Sequence, residues 1–242
     1  ALTLTVDHEL RRSDLTSDVG RSIELAAEYI LTEHGIEAGE AEPEPSVFDS
    51  LLRTFGLAFP RTNVFSAFAR STLKGPDPLA DPDGALVAWM EHEETLFRRL
   101  EREIVAERLR AGFTDQGVAD VDGFLKFSLS VQNRRKSRAG FAFAHHTEEI
   151  LKVHGIAYTR EATTEKRAAA DFLFPGEAQY GDPAFPAGRL RMLAVKTTCK
   201  DRWRQVLTEA RRIDEKHLLT LEHSITRAQT AEMHTALLRL LI

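Results

Sequence analysis

With a single cysteine, Cys199, the 242-residue chain can form neither an intrachain disulfide nor a cysteine-rich zinc site. No run of about 18 apolar residues occurs, so no membrane-spanning helix is predicted. There is no Gly-rich phosphate loop, no G-x-S-x-G elbow and no H-E-x-x-H pair, which removes three common routes to enzyme chemistry. Internal repeats and low-complexity tracts are also missing. The chain opens Ala-Leu-Thr-Leu-Thr without an initiator Met or a signal peptide, so a trimmed piece of a longer protein is expected. A reducing, intracellular setting fits the cysteine usage. What is present, 43% hydrophobic and 29% charged residues, is the balance of a globular chain and excludes a mainly disordered one.

The formal net charge of −5 conceals an asymmetry. Residues 1–127 hold 13 Lys+Arg and 24 Asp+Glu, a balance of −11; residues 128–242 hold 19 and 13, a balance of +6. A basic half on an acidic protein suits a polyanion such as nucleic acid, although uneven solvation gives the same arithmetic.

Residues 1–127 read as helical. Thr16-Ser17-Asp18 forms a helix-start signal ahead of Leu25, Ala26, Tyr29 and Ile30, and 38–45 is an acidic, Pro-containing loop. Apolar spacing predicts helices from Ser46 through Phe55, over 60–73 and over 85–109, and another running from about Ala119 into the basic cluster 134–138. After Gly140 the texture changes. A helix is expected over 141–154, strands over 156–159, 170–174, 189–198 and 217–221, helices over 201–213 and 226–234, and a strand-like apolar end. The fold class is therefore α/β, a mixed β-sheet flanked by helices with an N-terminal helical part. Residues 1–127 and 128–242 are expected to pack as one unit.

Within 145–149 the histidines and acids are adjacent pairs that point different ways on a helix, which makes a poor chelate. Cys199 reads as a packing residue. The informative stretch runs from Asp171 to Glu209. Asp171 interrupts an apolar strand, Lys196 ends the apolar run Leu193-Ala194-Val195, and Glu209 follows 13 residues later. A charge on an apolar element is costly without a partner. If the strands are neighbours, two carboxylates and an amine surround one point, as metal-assisted phosphodiester hydrolysis requires. The alternative is separate ion pairs at element ends.

Asp171, 24 intervening residues, Lys196, 12 more and Glu209 resemble the PD-(D/E)xK nucleases, most closely the catalytic C-terminal domain of EcoRII-type restriction endonucleases. The likeness rests on Asn133-Arg134-Arg135-Lys136-Ser137-Arg138-Ala139-Gly140, on Asp171-Phe172-Leu173-Phe174-Pro175-Gly176, on Lys196-Thr197-Thr198-Cys199-Lys200-Asp201-Arg202-Trp203-Arg204, and on Lys216-His217-Leu218-Leu219. It covers roughly 130–235. The resemblance implies a restriction-endonuclease-like fold, with Asp171, Lys196 and Glu209 catalytic and Mg²⁺ held by Asp171 and Glu209. Ala194 stands where many relatives carry an acid two residues before the lysine, and Glu209 takes that place. Lys200, Asp201 and Arg202 would read C·G pairs in the major groove, with Arg204 beside them. Gln132, Arg134, Arg135 and Arg138 would lie near the phosphates. Family members act as homodimers on duplex DNA with CC and GG flanking a short centre, some flipping the central bases out. They work alongside a DNA methyltransferase of the same specificity, in the prokaryotic cytoplasm. The likeness breaks at Ala170, where the family has Pro, and at Ala144, where it has a metal-site Glu. Glu148, one turn on, is the expected stand-in for that metal ligand. The competing expectation is a sequence-specific DNA-binding protein whose nuclease site is disabled.

Overall fold

The computed structural model describes residues 44–241 apart from 116, 166, 167, 200, 201 and 223. The helix start expected at 16–18 lies outside them, as does most of the acidic loop. All described residues belong to one unit, Pro43–Ile242.

Pro45 opens α1 (Pro45–Phe55), and a proline in the first turn forfeits no intrahelical bond. Phe48 and Leu51 on α1 meet Phe65 and Ala69 on α2 (Thr62–Thr72) and Leu96, Phe97 and Leu100 on α3 (Pro82–Ala111). This is the helical core that the 3.6-residue spacing predicts. Asp81 caps α3 by accepting from the Gly84 N–H at 2.9 Å. After a short hairpin, β1 (Thr114–Asp115) with β2 (Val118–Ala119), the same device opens α4 (Val121–Val153): Asp120 accepts from the Gly123 N–H at 2.8 Å. A Cβ at Gly123 would fall 2.0 Å from Asp120 Oδ2, so a larger residue there would have to displace the capping carboxylate.

α4 is one helix of 33 residues, not two separated at Gly140. A glycine inside a helix costs only about 1 kcal/mol relative to alanine. Buried residues on both sides of it, Arg138, Ala142, His146 and Phe143, Thr147, Leu151, recur at helical spacing and hold one continuous packing face.

The sheet has five strands in the order β3 (Thr159–Thr163), β4 (Ala169–Phe174), β5 (Arg191–Lys196), β6 (Lys216–Thr220) and β7 (Leu238–Leu241). The first two pairings are antiparallel and the last two parallel. Short helices, α5 (Glu177–Gly181), α6 (Trp203–Val206) and α7 (Arg227–Thr235), occupy the connections. One sheet face buries Met192, Ala194 and Leu218 against Trp203, Val206 and Met233. The other buries Phe172 and Val195 against Phe143 and Leu151 of α4. Two expectations are corrected. The first strand begins at Thr159 instead of 156. The helix expected over 201–213 is confined to Trp203–Val206, because the chain then turns to meet the loop before β4. The Ala210 N–H donates to Thr164 Oγ1 and the Arg211 N–H to Glu165 Oε2, which replaces helical bonds with tertiary ones. No helix among the described residues is long and apolar enough to cross a membrane.

Candidate active site

β4 and β5 pair through Phe172–Leu193, Leu173–Met192 and Phe174–Arg191, then part. The opening between them takes the Asp171 side chain. Asp171 Oδ2 accepts from the Val195 N–H at 2.8 Å and from Lys196 Nζ at 2.6 Å. Neither side chain is sealed: Asp171 keeps 28% and Lys196 16% of its surface exposed. The two charges are thus paired yet reachable from solvent.

Glu209, in the turn after α6, is half-buried and close enough for its carboxyl to feel both charges. Burial pushes its carboxyl up to about 7; Lys196 pulls it back, and Asp171 adds to the rise. Its Oε2 is shut off from solvent and has no hydrogen-bond partner. A buried, unpartnered carboxylate oxygen beside a second carboxylate is suited to a cation. As placed, no three carboxylates, imidazoles or thiols among the described residues form a coordinating cluster.

Asp171 and Lys196 stand on the wall of a cleft of about 290 Å³. α4 supplies the facing wall through Lys136, Ser137, Gly140, Phe141 and Ala144, and Arg160, Glu161, Thr197 and Arg202 complete the lining. Of the predicted DNA contacts, Arg202 is in the lining and exposed. Lys200 and Asp201 lie outside the described residues. Arg204 turns to α7, where it pairs with Glu232 at 2.7 Å over the Trp203 ring. Gln132 is exposed, and Arg134 is exposed over the Phe59 ring at 4.7 Å. Arg135 reaches back to Glu101, its Nε donating to Oε2 at 2.7 Å.

Two expectations do not survive. Arg138 is not a surface cation: it is 5% exposed, donates to Glu93 Oε1 at 3.1 Å and pairs with Glu94. It shares the inward face of α4 with Ala142 and His146, and α3 supplies its carboxylates. Glu148 does not reach the cleft lining that Asp171 shares with Ala144. Tyr158 Oη donates to it at 2.9 Å and Arg160 Nη1 at 2.8 Å, and Lys152 is 3.4 Å away. Those donors hold its carboxyl below the usual range despite burial. Phe141, Arg160 and Glu161 are cleft residues with no sequence motif to mark them, whereas Lys136 lies within the basic cluster 134–138. Helical spacing through 136, 140 and 144 was the available signal for the α4 wall; β3 offered none.

Comparison with known proteins gives a consistent result. A family model described as EcoRII C terminal matches residues 97–242. The type II restriction enzyme EcoRII of Escherichia coli is 43% identical over 163 residues, 67% of this chain and 39% of that protein. The chain therefore spans well under half the length of that curated relative. Two solved structures share the fold. Metal-depleted Ecl18kI in complex with uncleaved, modified DNA has TM-score 0.61 at 20% identity, covering 81% of this chain and 72% of that one. The restriction endonuclease PspGI–substrate DNA complex has TM-score 0.59 at 18% identity, covering 75% and 76%. With its family match running from the middle of α3 to the C-terminus, over more than half of its length, the chain belongs to the EcoRII C-terminal family.

Proposed function

We propose that this chain is the catalytic part of a type II restriction endonuclease, hydrolysing phosphodiester bonds of duplex DNA at a short C·G-flanked site such as CCWGG. The observation that carries the reading is the pairing of Asp171 with Lys196 on the wall of a cleft lined by Lys136, Arg160 and Arg202, with the half-buried Glu209 carboxyl within electrostatic reach of both. Asp171 and Glu209 would hold Mg²⁺; when bound, the ion offsets charge developing on the phosphoryl oxygens and acidifies water. Lys196 Nζ, held by the Asp171 carboxylate, is at hand to orient the attacking water and to share the negative charge of the transition state. Lys136 and Arg202 attract and seat the phosphate backbone, and Arg202 is the described residue best situated to read a guanine edge. By family likeness the enzyme works as a homodimer in the prokaryotic cytoplasm, with a methyltransferase protecting the same sites.

Incubation with plasmid and Mg²⁺, followed by sequencing of the ends, tests this directly. Cleavage at one short sequence is expected; none at any sequence overturns the enzyme reading. One observation favours a second reading, a DNA-binding protein without cleavage: Ala144 presents only a methyl group to the cleft. On that reading Ala144→Glu raises Mg²⁺-dependent cleavage by about 10–100-fold, the scale for a group supporting a metal site.

A further inference from the structure

We propose that Glu161 is a carboxylate of the cation site, contributed from β3. The inference rests on the cation reading above and adds a residue to it. Arg160 pairs with Phe172 and Ala162 with Ala170, so Glu161 is the residue across the ladder from Asp171. Directly opposed residues of an antiparallel pair have Cβ atoms about 4.5–5.5 Å apart. The ladder is not regular there. Phe172 packs toward α4, whereas Ala162 and Ala170 pack in the core of the other face, so both strands kink between these pairs. Glu161 absorbs the kink with φ of 51°, a left-handed conformation that an L residue with a long side chain rarely adopts. The kink brings Glu161 to the same cleft as Asp171, Lys196 and Ala144.

The surroundings leave this carboxylate available. Glu161 is 68% exposed, and its ion contact is a long one, 3.8 Å to Arg160 Nε. Arg160 itself turns its Nη1 to Glu148 at 2.8 Å. The opposite wall offers no carboxylate, since Ala144 is a methyl group and Glu148 is held by Tyr158 and Arg160. Independently, Oε2 of Glu209, whose carboxyl feels the charges of Asp171 and Lys196, is a buried acceptor without a partner, which suits a positive charge near that pair. Mg²⁺ takes six oxygens, usually from one or two carboxylates, waters and substrate phosphate. With Asp171 and Glu209 on one side, Glu161 can enter by a rotamer change of an exposed side chain.

The test is Mn²⁺ binding by the full chain without DNA, followed by electron paramagnetic resonance, with melting temperature and metal-free duplex binding measured alongside. Glu161→Gln is expected to weaken Mn²⁺ binding on the order of tenfold while melting and metal-free duplex binding hold. Adding Ala144→Glu to that variant is expected to restore Mn²⁺ affinity from the facing wall. Unchanged Mn²⁺ binding in Glu161→Gln, with loss in Asp171→Asn, overturns the role of Glu161 and leaves the nuclease reading intact. Mn²⁺ binding that survives Asp171→Asn, or that the unmodified chain lacks at millimolar metal, overturns the cation reading and the inference with it.

Discussion

Two groups of charges sit on apolar elements of this protein, and they differ in what surrounds them. Between α3 and α4, Glu93 and His146 are fully buried and Arg138 is 5% exposed. Arg138 donates to Glu93 Oε1, and His146 Nε2 stands 3.0 Å from Glu93 Oε2. Arg70 Nη1 donates to His146 Nδ1 at 3.0 Å, which keeps that nitrogen unprotonated. Every member is a helix residue locked by its neighbours. Between the interior strands β4 and β5, Asp171 and Lys196 are just as closely paired, but one side of the pair is open to a cleft, and Glu209, which feels both charges, has an oxygen without a partner. The closed network is sealed from solvent, and its own atoms without a hydrogen-bond partner, among them Arg138 Nε, face no cleft lining that Asp171 shares. The open one keeps charge in reserve for something that enters.

Substitutions sharpen this contrast. The largest expected effect is on catalysis: Asp171→Ala reduces Mg²⁺-dependent plasmid cleavage by several orders of magnitude, with duplex binding and melting little changed. Collapse of the fold in that variant would make Asp171 structural and erase the distinction. In the closed network the sign of the outcome is reversed. Glu93→Ala leaves Arg138 buried without its main partner and is expected to destabilise by about 3–5 kcal/mol, read as a shift in the urea midpoint. Wild-type stability in Glu93→Ala would show that the helical layer does not depend on the network.

Smaller effects separate the DNA contacts. Arg202→Ala is expected to cost about 1–3 kcal/mol per half-site and to relax discrimination at a guanine, whereas Arg134→Ala weakens all duplexes alike and lowers the salt slope. Competition binding of CCWGG and scrambled duplexes at two salt concentrations distinguishes them; equal losses for Arg202→Ala would make it a phosphate contact. The smallest effect is on pH. Burial, with Arg160 alongside, pushes His145 down to about 4, and burial lowers His146 too. Both titrate near 6.5 when unfolded, so the unfolded chain takes up protons first as pH falls. The stability His145 supports is complete above about 6.5 and is lost toward about 4, and His146 acts with the same sign. Melting temperature against pH measures this, and His145→Gln should flatten part of the slope.

Much of this was legible beforehand because local rules govern it. The helices α1 to α3 follow from apolar spacing, while the Pro45 start of α1 and the Asp81-Pro82 start of α3 lie ahead of the expected 46 and 85. Strands β4, β5 and β6 follow from short apolar runs bounded by Pro, Gly and charge. What failed depended on distant partners. Gly140 reads as a break until the packing of both halves of α4 on α3 and the sheet outweighs its propensity. The segment after Val206 reads as helix until Thr164 and Glu165 offer its backbone other acceptors.

For the site, the chain order alone marked the candidates for chemistry: Asp171, Lys196 and Glu209 stand out by charge within apolar runs and by a spacing that resembles a known nuclease motif. Only the tertiary structure decided which charges remain usable. Arg138 and Arg202 are indistinguishable as residue types, yet α3 encloses the first and the cleft admits the second. Glu148 and Glu161 are likewise equal as carboxylates, yet Tyr158 and Arg160 occupy the first while a kinked β3 turns the second toward Asp171. The physical reason is that residue type and spacing set what a side chain can do, whereas desolvation and pairing, which depend on residues tens of positions away, set whether it is free to do it.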